Sequence, residues 1–114
     1  MPTWRTLNSE SQLDEINDLS FEKPVAVFKH STRCFTSSLV KSHLEDDWNL
    51  TDTDFPFYFL DLIAFRNISN QIARRFQVTH QSPQLIILKS GKAVYHESHN
   101  SISYDFAIAA AKVA

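Results

Sequence analysis

The sequence predicts an α/β fold: a single domain with a mixed central sheet flanked by helices. Three observations carry that expectation. Short apolar runs at 25–28, 55–62 and 84–88 read as strands buried on both faces, as in a sheet covered by helices. Between the runs, apolar residues recur at helical spacing. After the third run, Ser90-Gly91 separates two strand-like segments, the signal of a tight hairpin. The predicted order is β-α-β-α-β-α-β-β-α over residues 1–114, with parallel neighbours from the alternating part and an antiparallel edge from the hairpin.

Taken in order, Trp4-Arg5-Thr6-Leu7 reads as a short first strand. Asn8 or Ser9 caps a helix with Leu13, Ile16 and Leu19 on one face, and Glu10, Asp14 and Glu15 lie early in it, where the helix dipole favours acids. Phe21-Glu22-Lys23-Pro24 ends the pattern, and Val25-Ala26-Val27-Phe28 follows as a buried strand. His30 to Arg33 read as a polar loop. From Cys34 to about Trp48 the spacing is helical, with Phe35, Leu39, Val40, Leu44 and Trp48 on a common face. Phe55 to Leu62 forms the next central strand. Asn67 or Ser69 starts a helix with Ile68, Ile72, Ala73 and Phe76 on one face. Gln84-Leu85-Ile86-Ile87-Leu88 and Ala93-Val94-Tyr95 make the hairpin, and Ser101 or Ser103 caps a last helix carrying Phe106, Ala107, Ala110 and Val113.

Composition narrows the function classes. The chain has 114 residues, enough for one domain with a modest core, and 43% hydrophobic against 21% charged residues marks it as folded. A net charge of −2 leaves no basic footprint for nucleic acid or for a membrane surface. No apolar segment is long enough to span a bilayer, and Met1-Pro2-Thr3-Trp4-Arg5 lacks the apolar stretch of a signal peptide, so the expected setting is the cytoplasm. The single glycine, Gly91, excludes Gly-rich phosphate loops and dinucleotide fingerprints.

The chemistry concentrates at the only cysteine, Cys34, where a strand gives way to a helix. The thiolate is the attacking species in disulfide exchange, and the unpaired N–H groups of a helix start favour the anion. Lys29, His30 and Arg33 add positive potential nearby, and Ser37, one turn on, has a hydroxyl that can reach the sulfur. Cys34-Phe35-Thr36-Ser37 has the spacing of a dithiol redox motif with serine in the second place. Serine cannot resolve a mixed disulfide from within, so the expected chemistry is one-thiol exchange released by a second thiol. Ser82-Pro83 stands directly before a strand, where proline is tolerated; placed beside Cys34, that loop offers backbone to an extended substrate. The alternative is an inert cysteine and an ordinary turn.

The chain resembles the bacterial thioredoxin-like general-stress proteins that include the monothiol bacilliredoxins, partners of the small thiol bacillithiol. The matching pieces are Phe28-Lys29-His30-Ser31-Thr32-Arg33-Cys34, Arg66 with Ser69-Asn70, Val78-Thr79-His80-Gln81-Ser82-Pro83-Gln84, Ser90-Gly91-Lys92-Ala93-Val94, and Ser98-His99. The resemblance implies a thioredoxin-like fold, Cys34 as the nucleophile, a cis bond at Pro83, and removal of bacillithiol from protein mixed disulfides. In that reading Thr32, Arg33 and Ser37 support the thiolate, while Ser82, Pro83 and Phe35 meet the substrate. The family commonly follows the cysteine with proline, isoleucine and serine; here Phe35 and Thr36 stand in and only Ser37 matches. The expected partners are proteins carrying mixed disulfides and a low-molecular-weight thiol as co-substrate, with no bound cofactor and no metal.

Other chemistries have less support. His96-Glu97-Ser98-His99 follows a strand, and the histidines at 30, 43, 80, 96 and 99 lack the cysteine pairs of a zinc site. Iron–sulfur binding of the monothiol glutaredoxin kind uses other residues after the cysteine. Hydrolysis by a Cys34–His30 pair lacks an orienting partner. Asp61, at a strand end, reads as a solvent-facing acid or a partner of Arg66, with proton relay as its functional alternative. A non-catalytic thioredoxin-like adaptor that docks partners through the Ser82-Pro83 loop is the second function class.

Overall fold

A computed structural model describes residues 4–113. The leader expectation at Met1-Pro2-Thr3 and the packing expected of the Val113 side chain lie outside the described residues. The strands are β1 (Arg5–Thr6), β2 (Val25–His30), β3 (Phe57–Asp61), β4 (Gln84–Lys89) and β5 (Lys92–Ser98). The helices are α1 (Ser11–Leu19), α2 (Phe35–Asp47), α3 (Arg66–Arg75) and α4 (Tyr104–Val113), with a 3-10 turn at His99–Ser101. Sheet order is β1-β3-β2-β4-β5; β3 is parallel to β1 and β2, while β4 is antiparallel to β2 and β5. This is the predicted mixed sheet with an antiparallel edge.

Strand periodicity builds two core layers. Val25 and Val27 of β2, with Tyr58, Leu60, Ile86 and Leu88, meet Leu13 and Ile16 of α1 and Ile68 and Ile72 of α3. Ala26 and Phe28, with Phe57, Leu85 and Ile87, meet Val40 and Leu44 of α2 and Ala107 and Ala111 of α4. The sheet thus separates α1 and α3 from α2 and α4.

Four local expectations are corrected. First, β2 extends beyond Phe28 through Lys29 and His30, both buried, because the backbone ladder continues: Lys29 faces Leu60 and Gln84, and His30 faces Asp61. Second, Phe35 and Leu39 do not share the buried face of α2; Phe35 is 83% exposed, and the buried positions are Ser37, Val40 and Leu44. Third, Phe106 lies outside the buried stripe of α4, which is carried by Ala107 and Ala111. Fourth, neither Asn8 nor Ser9 caps α1 through its side chain. Gln12 reaches back instead: its Oε1 accepts the Asn8 and Ser9 amides at 2.8 and 3.0 Å, and its Nε2 donates to Thr6 O.

The last helix is capped as expected by Ser103, whose Oγ accepts the Phe106 amide. The Ser90-Gly91 turn has both residues at positive φ (54° and 76°), the geometry that lets a two-residue turn follow strand twist. Its amides donate to Ser20, and a Cβ on Gly91 would lie 3.1 Å from the Phe21 ring.

Candidate active site

Cys34 is the N-cap residue of α2, half-buried, with extended backbone (φ −112°, ψ 120°) and no side-chain cap hydrogen bond. The first N–H groups of a helix have no intrahelical partner, so the sulfur sits on the residue that opens this set of free donors. The turn before it is closed by the Cys34 amide donating to Ser31 O at 3.2 Å. Thr32 and Arg33 form that turn and are exposed, and their side chains have no hydrogen-bond partner among the described residues.

Ser37 is fully buried beneath the turn. Its Oγ accepts the Ser31 amide at 3.0 Å and lies 2.7 Å from Nδ1 of His30. The expected reach of this hydroxyl to the sulfur is not among its hydrogen bonds; its partners are the loop and the end of β2. His30, 5% exposed, lies beside Phe28 and Phe59. Burial, followed by the Lys41 charge, pushes its imidazole below the usual range, while Asp61 and Glu45 oppose the shift.

The Ser82-Pro83 loop meets the same end of the sheet. Gln84, the first residue of β4, pairs with Lys29, and β2 runs out one residue later into the turn that carries Cys34. The Ser82–Pro83 bond is cis, Pro83 is buried, and Ser82 Oγ is buried without a partner among the described residues. The His99 amide donates to Pro83 O at 3.0 Å, and Gln84 Nε2 to Thr79 O.

Lys29 is wholly buried on the α1/α3 side; its Nζ lies 3.1 Å from Ser69 O and 3.3 Å from His80 Nδ1. Burial pushes its ammonium down to about 8. His80 is lowered too, by burial first and then by the charges of Lys29 and Arg66. Asp61 is half-buried and forms no ion pair with Arg66: its Oδ1 accepts the Ile63 and Ala64 amides, closing the turn that leads to α3.

A family model described as monothiol bacilliredoxin BrxC matches residues 5–106. The chain belongs to the monothiol bacilliredoxin family. Among solved structures, a proposed oxidoreductase with a thioredoxin fold is 28% identical, with 95% of this chain and 92% of that chain covered at a TM-score of 0.78. Thioredoxin from Malassezia sympodialis is 15% identical, with 98% and 91% covered at a TM-score of 0.72. Thioredoxin from Plasmodium falciparum is 17% identical, with 94% and 92% covered at 0.66. The last two show the fold alone, and the thioredoxin fold expected from the resemblance is the fold of this chain.

Bacilliredoxin membership and thioredoxin fold together support a thiol-oxidoreductase-like role. The buried polar side chains around the site, Lys29, His30 and Ser69, were missed as packed groups by sequence reasoning. Lys29 and His30 read as positive charge beside the cysteine and Ser69 as a possible helix start, and nothing in their residue type marked them as packed inside. No helix among the described residues is long and apolar enough to cross a membrane, and no three metal-ligating side chains among them cluster.

Proposed function

We propose that the chain is a monothiol disulfide oxidoreductase that removes a low-molecular-weight thiol, bacillithiol in the first instance, from protein mixed disulfides in a bacterial cytoplasm. The observation that carries this reading is the placement of the sole thiol. Cys34 opens α2 at the sheet end where the Ser82-Pro83 loop enters β4, and a buried serine occupies the position of a second thiol.

In the forward step the Cys34 thiolate attacks the small-thiol sulfur of a protein mixed disulfide. A new bond forms between the two sulfurs, the old disulfide breaks, and the protein sulfur leaves as a thiolate that takes a proton from solvent. A second molecule of the small thiol, as its thiolate, then attacks the sulfur of the first. That step releases a symmetrical small disulfide and regenerates Cys34. Arg33 and Thr32 flank the developing charge, and Phe35 offers an aromatic surface to the target protein.

The test is transfer of mass. A protein carrying a bacillithiol adduct is mixed with the wild-type chain or with Cys34→Ser, and both partners are weighed intact. The expected result is loss of the adduct from the target with its gain on wild-type Cys34, and no transfer to Cys34→Ser. No transfer from bacillithiol, glutathione or cysteine adducts would overturn the reading. The exposed ring of Phe35 supports an adaptor as the second reading; stable target binding by Cys34→Ser without any transfer by the wild type would favour it.

A further inference from the structure

Among the described residues Lys29 is the lysine the fold buries completely, and no carboxylate among them lies within ion-pair distance of it. A buried cation without a counter-charge is costly. Its nitrogen is instead placed against two acceptors, Ser69 O at 3.1 Å and His80 Nδ1 at 3.3 Å. The Ser69 hydroxyl lies 3.3 Å from the same Nδ1.

An ammonium has three donors and no acceptor. Nδ1 of His80 must therefore present a lone pair to Lys29, and the ring proton of a neutral imidazole must sit on Nε2. That nitrogen lies on the far edge of the ring, away from the buried ammonium, and His80 as a residue is exposed. His80 stands three residues before Pro83, in a loop whose backbone is already held at Thr79 O and Pro83 O. The far edge of the ring is the part of this arrangement left open to an incoming molecule.

We propose that Lys29 is a positioning residue. It fixes His80 as the tautomer protonated at Nε2, and so gives the Pro83 loop a directed hydrogen-bond donor for a carbonyl or carboxylate oxygen on the small-thiol half of the mixed disulfide. The proposal rests on the exchange reading above for the donor's use, but the tautomer lock can be measured without any exchange.

Long-range proton–nitrogen NMR of the wild-type chain at pH 7 reads the tautomer directly. The expected result is a single Nε2–H form of His80 in the wild type and a mixture of both tautomers in Lys29→Met, which keeps the stem and removes the charge. A wild-type Nδ1–H form, or no change in a folded Lys29→Met, would overturn the lock. The donor's use is read by kinetics with one target protein carrying either a cysteine adduct, which has a carboxylate, or a cysteamine adduct, which has none. His80→Asn retains an acceptor for Lys29 but loses the far-edge donor. It is expected to raise KM for the cysteine adduct roughly 3- to 10-fold, the range of one lost hydrogen bond, with kcat little changed and no rise for the cysteamine adduct. His80→Gln, whose longer amide reaches the Nε2 position, is expected to recover most of the loss. Equal losses on both adducts would overturn the donor's role. Absence of exchange by the wild type, with the tautomer as expected, would sink the exchange reading and the donor's use together while leaving the lock in place.

Discussion

Two hydrogen bonds converge on the Ser37 hydroxyl, from the Ser31 amide and to or from His30 Nδ1, so a single atom ties the start of α2 to the end of β2. Ser37→Ala keeps the helix but strands both partners in a buried site, and the cost of such orphaned groups is about 1–3 kcal/mol. A urea titration of Ser37→Ala should show a loss in that range; a change below about 0.5 kcal/mol would mean that water replaces the hydroxyl. Lys29 gives a prediction of opposite flavour. Its folded pKa, about 8, lies below the unfolded value of about 10.4. Between the two the unfolded chain binds more protons, so this residue makes stability rise with pH, by roughly 3 kcal/mol across the whole window. Wild type compared with Lys29→Met at pH 8 and at pH 9.5 should show a steeper rise in the wild type. Parallel curves would mean that the ammonium is solvated. These buried groups also mark where the sequence stopped being legible. Cys34 and Ser82-Pro83 stand out by residue type and by the run that precedes or follows them. Lys29 and His30 do not, because a charged residue after an apolar run looks the same whether the strand ends there or carries its side chains inside.

At the scale of elements, α2 begins at Phe35, which is 83% exposed and stands where the sequence resemblance implies a proline. Proline suits a first helical position because the missing N–H has no intrahelical partner and its φ is already helical. The residue before it must be extended, and Cys34 already is, at φ −112° and ψ 120°. Phe35→Pro should therefore stabilise the chain by about 0.4–1 kcal/mol through the unfolded state, read as a higher denaturant midpoint at unchanged slope. A destabilised variant would mean that the Phe35 ring contributes packing its exposure does not suggest. The same helix shows what spacing can and cannot tell. Val40, Leu44 and Trp48 were legible as the buried stripe, and so were Leu13, Ile16, Ile68 and Ile72 in their helices. Phe35 and Leu39 lie off that stripe, while Ser37 between them is wholly buried on it. A count of apolar residues misses a buried position held by a serine. Gln12 was illegible for another reason: a side chain reaching back three or four residues to cap its own helix competes with Asn8 and Ser9, which carry the commoner signal.

In the whole molecule one sheet supplies both cores, because consecutive residues of β2 and β4 point to opposite layers: Val25 and Val27 to one, Ala26 and Phe28 to the other. Neither layer can lose its strands without exposing the other's. The two tryptophans report on one side only. Trp4 stacks on Phe57 at 4.2 Å and Trp48 meets the same ring edge-on at 4.7 Å, both in the layer of α2 and α4. Ile72 is wholly buried in the opposite layer, on α3. Ile72→Ala removes buried methyl groups there and should cost about 2–5 kcal/mol. If the shared strands couple the layers, tryptophan fluorescence must report that full loss although no tryptophan touches the mutated site, and its denaturant midpoint must coincide with that from far-UV circular dichroism. A fluorescence midpoint that stays at the wild-type value while the dichroism midpoint falls would show that α1 and α3 melt from a surviving half. The sheet would then be a partition between two stability units, and the Cys34 side could outlast the loss of the Lys29 side.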